Sequence, residues 1–292
     1  MFLTALSKVI FHGFLTVSSV DKKAKTVIRA SSLPQYPDCE RRYAARSFSE
    51  EVKAAGYELN TMLPSIGAVI GTGTHEALGY AMIQKMQDQE IVTADMEALA
   101  VSSIEEAIKD GVVWDQTTTN PDAAIQQAIR QAKIILQVVG KDIHPIAVEQ
   151  YLKANLGDSF ELTGHIDITE QNGIADFKTG SVQRANQTQY GAYSLLSRSN
   201  GHPVKGLREI YVPRVGKRVP QPDPIVTSYS VKEAERGASE TIKHIKAGLI
   251  KFRESRENWV FLPNPNSMMC SPLYCPAFGT KFCQSHKKIQ GK

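Results

Sequence analysis

An α/β fold with a helical N-terminal portion and a cysteine-rich C-terminal tail follows from three features of the sequence. Before residue 140 the apolar residues recur at helical spacing. From Pro145 they switch to a strand-like period of two, and beyond the third strand helix and strand patterns interleave. At 292 residues the chain can bury a sizeable core. Its 34 Lys and Arg against 30 Asp and Glu give a formal net charge of +4 and a pI near 8.7, which admits a polyanion partner without requiring one.

Residues 1–25 read as a leader, amphipathic or frayed. Lys8 and His12 interrupt its apolar run, which argues against a membrane span and a signal-peptide core there. An organelle-targeting segment is the alternative, favoured by the absence of acidic residues before Asp21 and opposed by the absence of arginine before Arg29. The four cysteines are too few for a secreted disulfide scaffold, so a reducing, cytoplasmic setting without membrane attachment is expected.

The helical region, 26–140, opens with cap candidates at Ser31-Ser32-Leu33-Pro34 and an expected helix over 39–46, with Cys39 near its start. A glycine-punctuated segment from Gly67 to Gly73 leads into an expected helix over 74–87, with His75 in its first turn. No Gly-Lys-Ser/Thr follows the glycines, which excludes a phosphate-binding loop, and His75-Glu76 lacks the second histidine of a zinc-protease helix. Further helices are expected over 93–109 and 121–139. The latter has Asn120 as cap, Pro121 at its first position, a core-facing stripe through Ile125, Ile129, Ala132 and Leu136, and Gly140 as its stop.

The core segment, 141–260, carries expected strands at 146–152, 160–169 and 174–179, a helix over 183–197, strands at 207–212 and 225–230, and a helix over 232–256. On and after the fourth strand Arg208, Arg214, Lys217 and Arg218 form a basic edge, read either as solvated surface or as a phosphate contact. The tail, 261–292, holds three of the four cysteines, and the whole is expected to be one integrated domain.

The second and third strands meet at Asn172-Gly173, a dipeptide suited to the positive φ angles of a tight hairpin. Any two-residue loop here puts Asp167, Asp176 and Lys178 on one face. With Asn172-Gly173 central, Asp167 lies opposite Lys178, and Ile166, Ile168, Ala175 and Phe177 form the apolar face. Two carboxylates and an amine gathered on one face are costly unless solvated, paired or metal-bound. A half-exposed hairpin with a cross-strand Asp/Lys pair is the plain alternative.

The order Gly164-x-x-Asp167, Asp176-Phe177-Lys178-Thr179-Gly180, Gln189-x-x-x-Tyr193, preceded by Gly73-Thr74-His75, resembles the PD-(D/E)xK nuclease superfamily, and its RecB-like branch in particular, where the CRISPR-associated exonucleases also belong. The resemblance implies a restriction-endonuclease-like core, a central mixed sheet flanked by helices. It implies a metal-dependent DNA nuclease, most often an exonuclease on ends or single strands, with recombination, phage or CRISPR protein partners in a bacterial or phage setting. By the same resemblance Asp167, Asp176, His75 and the Phe177 carbonyl hold Mg²⁺ or Mn²⁺, the imidazole favouring Mn²⁺. Lys178 orients the attacking water, with Gln189 and Tyr193 on the supporting helix face. Glu149, on the first core strand, either supports the metal shell or is solvated.

Members of this branch often carry one cysteine before the core and three after it, holding a [4Fe-4S] cluster. Cys39, Cys270, Cys275 and Cys283 resemble that layout and use every cysteine of the chain. Their spacing is longer than the usual family form, so zinc and unligated thiols stand as alternatives. A non-catalytic DNA-binding or assembly module on the same fold is the rival to the nuclease, and a CRISPR-adaptation DNA-processing nuclease is a variant of it.

Overall fold

The computed structural model describes residues 25–285; the expected leader lies outside this part except for its last residue. One six-stranded sheet is built from β1 (Thr26–Arg29), β2 (Pro145–Gly157), β3 (Phe160–Glu170), β4 (Gly173–Gly180), β5 (Gly206–Pro213) and β6 (Ile225–Tyr229). The path is β1-β3-β4-β5-β6, with β2 along the other side of β3. The β1/β3 and β4/β5 pairs are parallel and the others antiparallel, so the sheet is mixed.

The helices are α1 (Glu40–Ser47), α2 (Ser49–Ala54), α3 (Ile66–Met86), α4 (Thr93–Ile108), α5 (Pro121–Val138), α6 (Gln187–Ser199) and α7 (Val231–Ser255). They divide the core between two faces. Phe160, Leu162, Ile166 and Ile174 pack with α1, α6 and α7, whereas Ile168, Ala175, Phe177 and Ile210 pack with α3, α4 and α5. No helix among the described residues is long and apolar enough to cross a membrane.

Several elements differ from the expected ones. The glycine-punctuated segment is helical: α3 starts at Ile66, capped by the Ser65 hydroxyl accepting the Ala68 N–H at 3.3 Å. Glycine disfavours a helix by about 1 kcal/mol against alanine, but here close packing decides, since a Cβ on Gly73 would lie 2.8 Å from Ile104. β1 and α2, four and six residues long, are too short to show a period. The expected helix start at 183 is instead a loop, and α6 begins at Gln187.

The α6/α7 contact depends on one missing side chain. A Cβ on Gly191 would sit 1.9 Å from the Ala234 carbonyl oxygen, which is backbone and cannot turn away. Gly191→Ala should therefore push the helices apart and lower stability by about 3 kcal/mol or more, read as a lower urea midpoint. An unchanged midpoint would contradict this packing.

Candidate active site

The hairpin turns at Gln171-Asn172, because Glu170 pairs with Gly173 and Ile168 with Ala175. The register is thus slipped by two from the one centred on Asn172-Gly173, which puts Asp167 level with Asp176 rather than with Lys178. Neither turn residue has a positive φ, so the turn is not of the primed type whose twist matches flanking strands, and unprimed turns splay them. The β3/β4 ladder indeed stops after three pairs, while β4 continues against β5 for its whole length.

Asp167 fills the opening. Its Oδ2 accepts the Phe177 N–H at 2.7 Å, taking the place of the missing ladder partner, and lies 3.4 Å from His75 Nδ1 on α3. The strand also changes face here, since Ile166 and Ile168 belong to different core clusters and not to one apolar face as the regular alternation predicts. Across the gap Asp176, fully buried, is paired with Lys178.

His75, Glu149 and Asp167 each present a ligand atom within 4.8 Å of the other two. One imidazole with two carboxylates is a donor set suited to a divalent cation. The trio differs from the set implied by resemblance: Glu149 enters, while Asp176 is turned to Lys178 and to Gln189 Nε2 at 3.2 Å. Glu149 has φ +49° inside β2, a conformation uncommon for a non-glycine residue. Its side chain lies over Gly79 of α3. Strand periodicity cannot signal such a re-aimed side chain.

Electrostatics follow from burial. Burial acts to lower the His75 pKa, but the charge of Asp167 and its hydrogen bond outweigh it and raise the value to about 9. Burial, then the neighbouring Asp167, pushes Asp176 up to about 6; Glu149 is exposed as a residue, but desolvation of its carboxylate, then Asp167, pushes it up to about 7. Asp167 stays below the usual carboxylate range because His75 overcomes its burial.

The sign for His75 is that its stabilisation of the metal-free chain is full below its unfolded value of about 6.5 and is lost as pH rises through about 9. A cation must displace that proton. Mn²⁺ affinity should therefore climb between about pH 6 and 9, with proton release measured by calorimetry in buffers of different ionisation enthalpy. A flat affinity over that range would contradict the assignment.

Behind the strands, Gln189 Nε2 donates to both Asp176 Oδ1 and Tyr193 Oη, the latter at 2.8 Å, so Tyr193 stands one bond removed from the carboxylate. Glu209 and its donors lie outside the residues that the sequence motifs single out. Glu209, fully buried and level with Asp176 on β5, accepts from Tyr190 Oη at 2.5 Å, Gln183 Nε2 at 2.7 Å and Asn186 Nδ2 at 3.1 Å. This anchors the β4–α6 loop. A lone Glu inside the apolar run Leu207-Arg208-Glu209-Ile210-Tyr211-Val212 was the signal available for it.

The family model for the PD-(D/E)XK nuclease superfamily matches residues 29–279. The chain belongs to the PD-(D/E)XK nuclease superfamily. The crystal structure of "Putative exonuclease" from Eubacterium rectale, at 11% identity, covers 88% of this chain and 93% of its own with a TM-score of 0.53, a likeness of fold. The crystal structure of SSO0001 has 13% identity, covers 77% of this chain and 79% of its own, and gives a TM-score of 0.33. No curated protein sequence matches.

In this superfamily member the basic edge is divided. Arg208 is paired with Glu170 at 2.6 Å, and Arg214 with Asp115 at 2.6 Å and Thr118 Oγ1 at 2.8 Å, so both guanidinium groups are engaged inside the fold. Lys217 and Arg218 are exposed.

The fold also brings Cys39 to the three cysteines more than two hundred positions later, for Cys39, Cys270, Cys275 and Cys283 all line one pocket beside Arg42, Asn264 and Ser267. None of the four is in a disulfide. Cys39 caps α1, its Sγ accepting the Arg42 N–H at 3.5 Å, and also accepts the Asn264 N–H at 3.4 Å. Burial pushes the Cys275 thiol up to about 11.

Proposed function

We propose that the chain is a metal-dependent deoxyribonuclease of the RecB-like branch, an exonuclease cutting phosphodiester bonds at DNA ends or in single strands. The observation that carries this reading is the convergence of His75, Glu149, Asp167, Asp176 and Lys178 at the splay between β3 and β4. Within a nuclease superfamily, that is a set of groups able to hold a cation and stabilise a phosphoryl transition state.

Mg²⁺ or Mn²⁺, when bound, would activate water and neutralise phosphoryl charge. His75, Glu149 and Asp167 would hold it, with Asp176 and the Phe177 carbonyl able to extend the set. Lys178 supplies a fixed positive charge beside the reacting phosphate and orients the water. Gln189, backed by Tyr193, fixes the Asp176 rotamer. Lys217 and Arg218 are the exposed cations available to DNA phosphates.

The cysteine pocket is read as a [4Fe-4S] site. The sulfur spacing favours a multi-iron group over a single zinc ion, while the charge on the pocket wall suits either thiolate-held centre. Sulfurs around one zinc lie about 3.8 Å apart, given a Zn–S bond of about 2.3 Å in a tetrahedron, yet no three of these four fall within 4.8 Å of one another. The buried, incompletely paired guanidinium of Arg42 on the same wall suits an anionic group. We read the helical region 26–140, core 141–260 and tail 261–292 as one integrated domain, working in bacterial or phage DNA recombination, repair or CRISPR processing.

The test is purified chain with Mn²⁺ or Mg²⁺ and end-labelled single-stranded, duplex and nicked DNA, beside Asp167→Asn. Metal-dependent shortening of the label by the native chain alone is expected. DNA bound but left intact in every form would favour the non-catalytic module instead.

A further inference from the structure

The cysteine pocket contains a charge that thiol ligation leaves unused. Arg42 is 5% exposed, and its Nη2 pairs with Asp38 at 2.8 Å. Its Nε and Nη1 are buried without an acceptor, on a wall shared with all four cysteines. The adjacent Arg41 shows the contrast. Its Nε donates to the Phe261 carbonyl at 3.0 Å and its Nη2 to the Asn258 carbonyl at 2.9 Å, which ties the tail to α1.

A guanidinium does not shed its charge by losing a proton at ordinary pH. Two buried nitrogens on it without an acceptor are therefore costly until one arrives. Asp38 is itself held, by Ser267 Oγ at 2.7 Å and by Asn264 Nδ2 on its carbonyl at 2.8 Å, so Arg42 is anchored at one nitrogen.

We propose that Arg42 is the charge partner of the four-thiolate centre, its open Nε and Nη1 donors serving the anionic sulfur of the group held there. The proposal rests on the iron–sulfur reading of the pocket. A four-iron cluster bound by four thiolates is anionic and gains one more negative charge on one-electron reduction, with no bond made or broken. A fixed, buried cation on the pocket wall favours that reduced form and helps the pocket retain its metal. Arg42 is thus a positioning residue for the centre.

The full chain, loaded anaerobically with iron and sulfide, would be compared with Arg42→Gln, Arg42→Lys and Asp38→Asn by iron and sulfide content and by spectroelectrochemical titration. Arg42→Gln should shift the reduction equilibrium about tenfold toward the oxidised form, equal to about 59 mV for one electron, and should lose iron to a chelator faster. Arg42→Lys should recover most of both properties, and Asp38→Asn should move the potential the opposite way. Equal potentials and equal iron retention in native chain and Arg42→Gln overturn the inference. If Arg42→Gln does not fold, an unmoved potential in Asp38→Asn overturns it. A native chain that takes up neither iron nor sulfide overturns the pocket reading itself, a separate result visible before any variant is made.

Discussion

Lys178→Ala should lower kcat for DNA hydrolysis about a thousandfold while leaving Mn²⁺ affinity within a few-fold of the native chain. The separation follows from geometry. His75, Glu149 and Asp167 converge without Lys178, whose contact is the Oδ2 of Asp176. Attraction to Asp176 and Asp167 outweighs burial and holds the Lys178 pKa above its ordinary value, so the amine is a cation at any working pH. Its loss removes a positive charge from where negative charge grows in the transition state.

The variant has a second expected signature. Asp176 is already pushed up to about 6 by burial and by Asp167, and Lys178 is the first group opposing that rise. Without it the carboxyl keeps its proton to higher pH, so the acid limb of the rate profile should move up. Single-turnover cleavage across pH, beside calorimetric Mn²⁺ binding, measures both effects. If binding collapses together with rate, Lys178 acts by holding the ligand set and the charge-stabilising role is wrong.

The same residues show how far the sequence could be read. Parity placed Asp167, Asp176 and Lys178 together because every two-residue loop makes paired positions sum to an odd number. For that reason it could not detect the slip from Asn172-Gly173 to Gln171-Asn172. The slip matters, since it puts the two carboxylates level where the strands part. The N-terminal helices and the strands from β2 onward were legible from periodicity, and the mixed sheet from the family resemblance. β1 was not, being four residues whose place beside β3 is set by a partner more than a hundred residues away.

Glu149 and Glu209 mark a further limit. Glu149 reaches the trio through a positive φ that no alternation rule predicts. Glu209 is a carboxylate made tolerable by Tyr190, Gln183 and Asn186, donors from a loop and helix that follow another strand. Arg208 and Arg214 are the converse case. Their charge suggested an outward role, but their partners Glu170 and Asp115 lie 38 and 99 positions away along the chain.

Cys39→Ser should abolish the stabilisation that loading the cysteine pocket confers, while leaving the metal-free fold nearly unchanged. Cys39 is the sole cysteine from the N-terminal side, so the cross-link it completes closes a loop of more than two hundred residues. By the chain-entropy estimate a closure of that length restricts the unfolded chain by about 5 kcal/mol. Serine is a good helix N-cap, so the capping bond to the Arg42 N–H survives the substitution. The tail also keeps bonds that need no metal, from Arg41 to the Phe261 carbonyl and from the Asn60 N–H to the Pro276 carbonyl. Urea unfolding of anaerobically loaded and chelator-treated samples separates the two contributions. The native chain should lose several kcal/mol on chelation and Cys39→Ser almost nothing. If chelation leaves the native chain equally stable, α1 and the later cysteine segment are held by packing and hydrogen bonds alone.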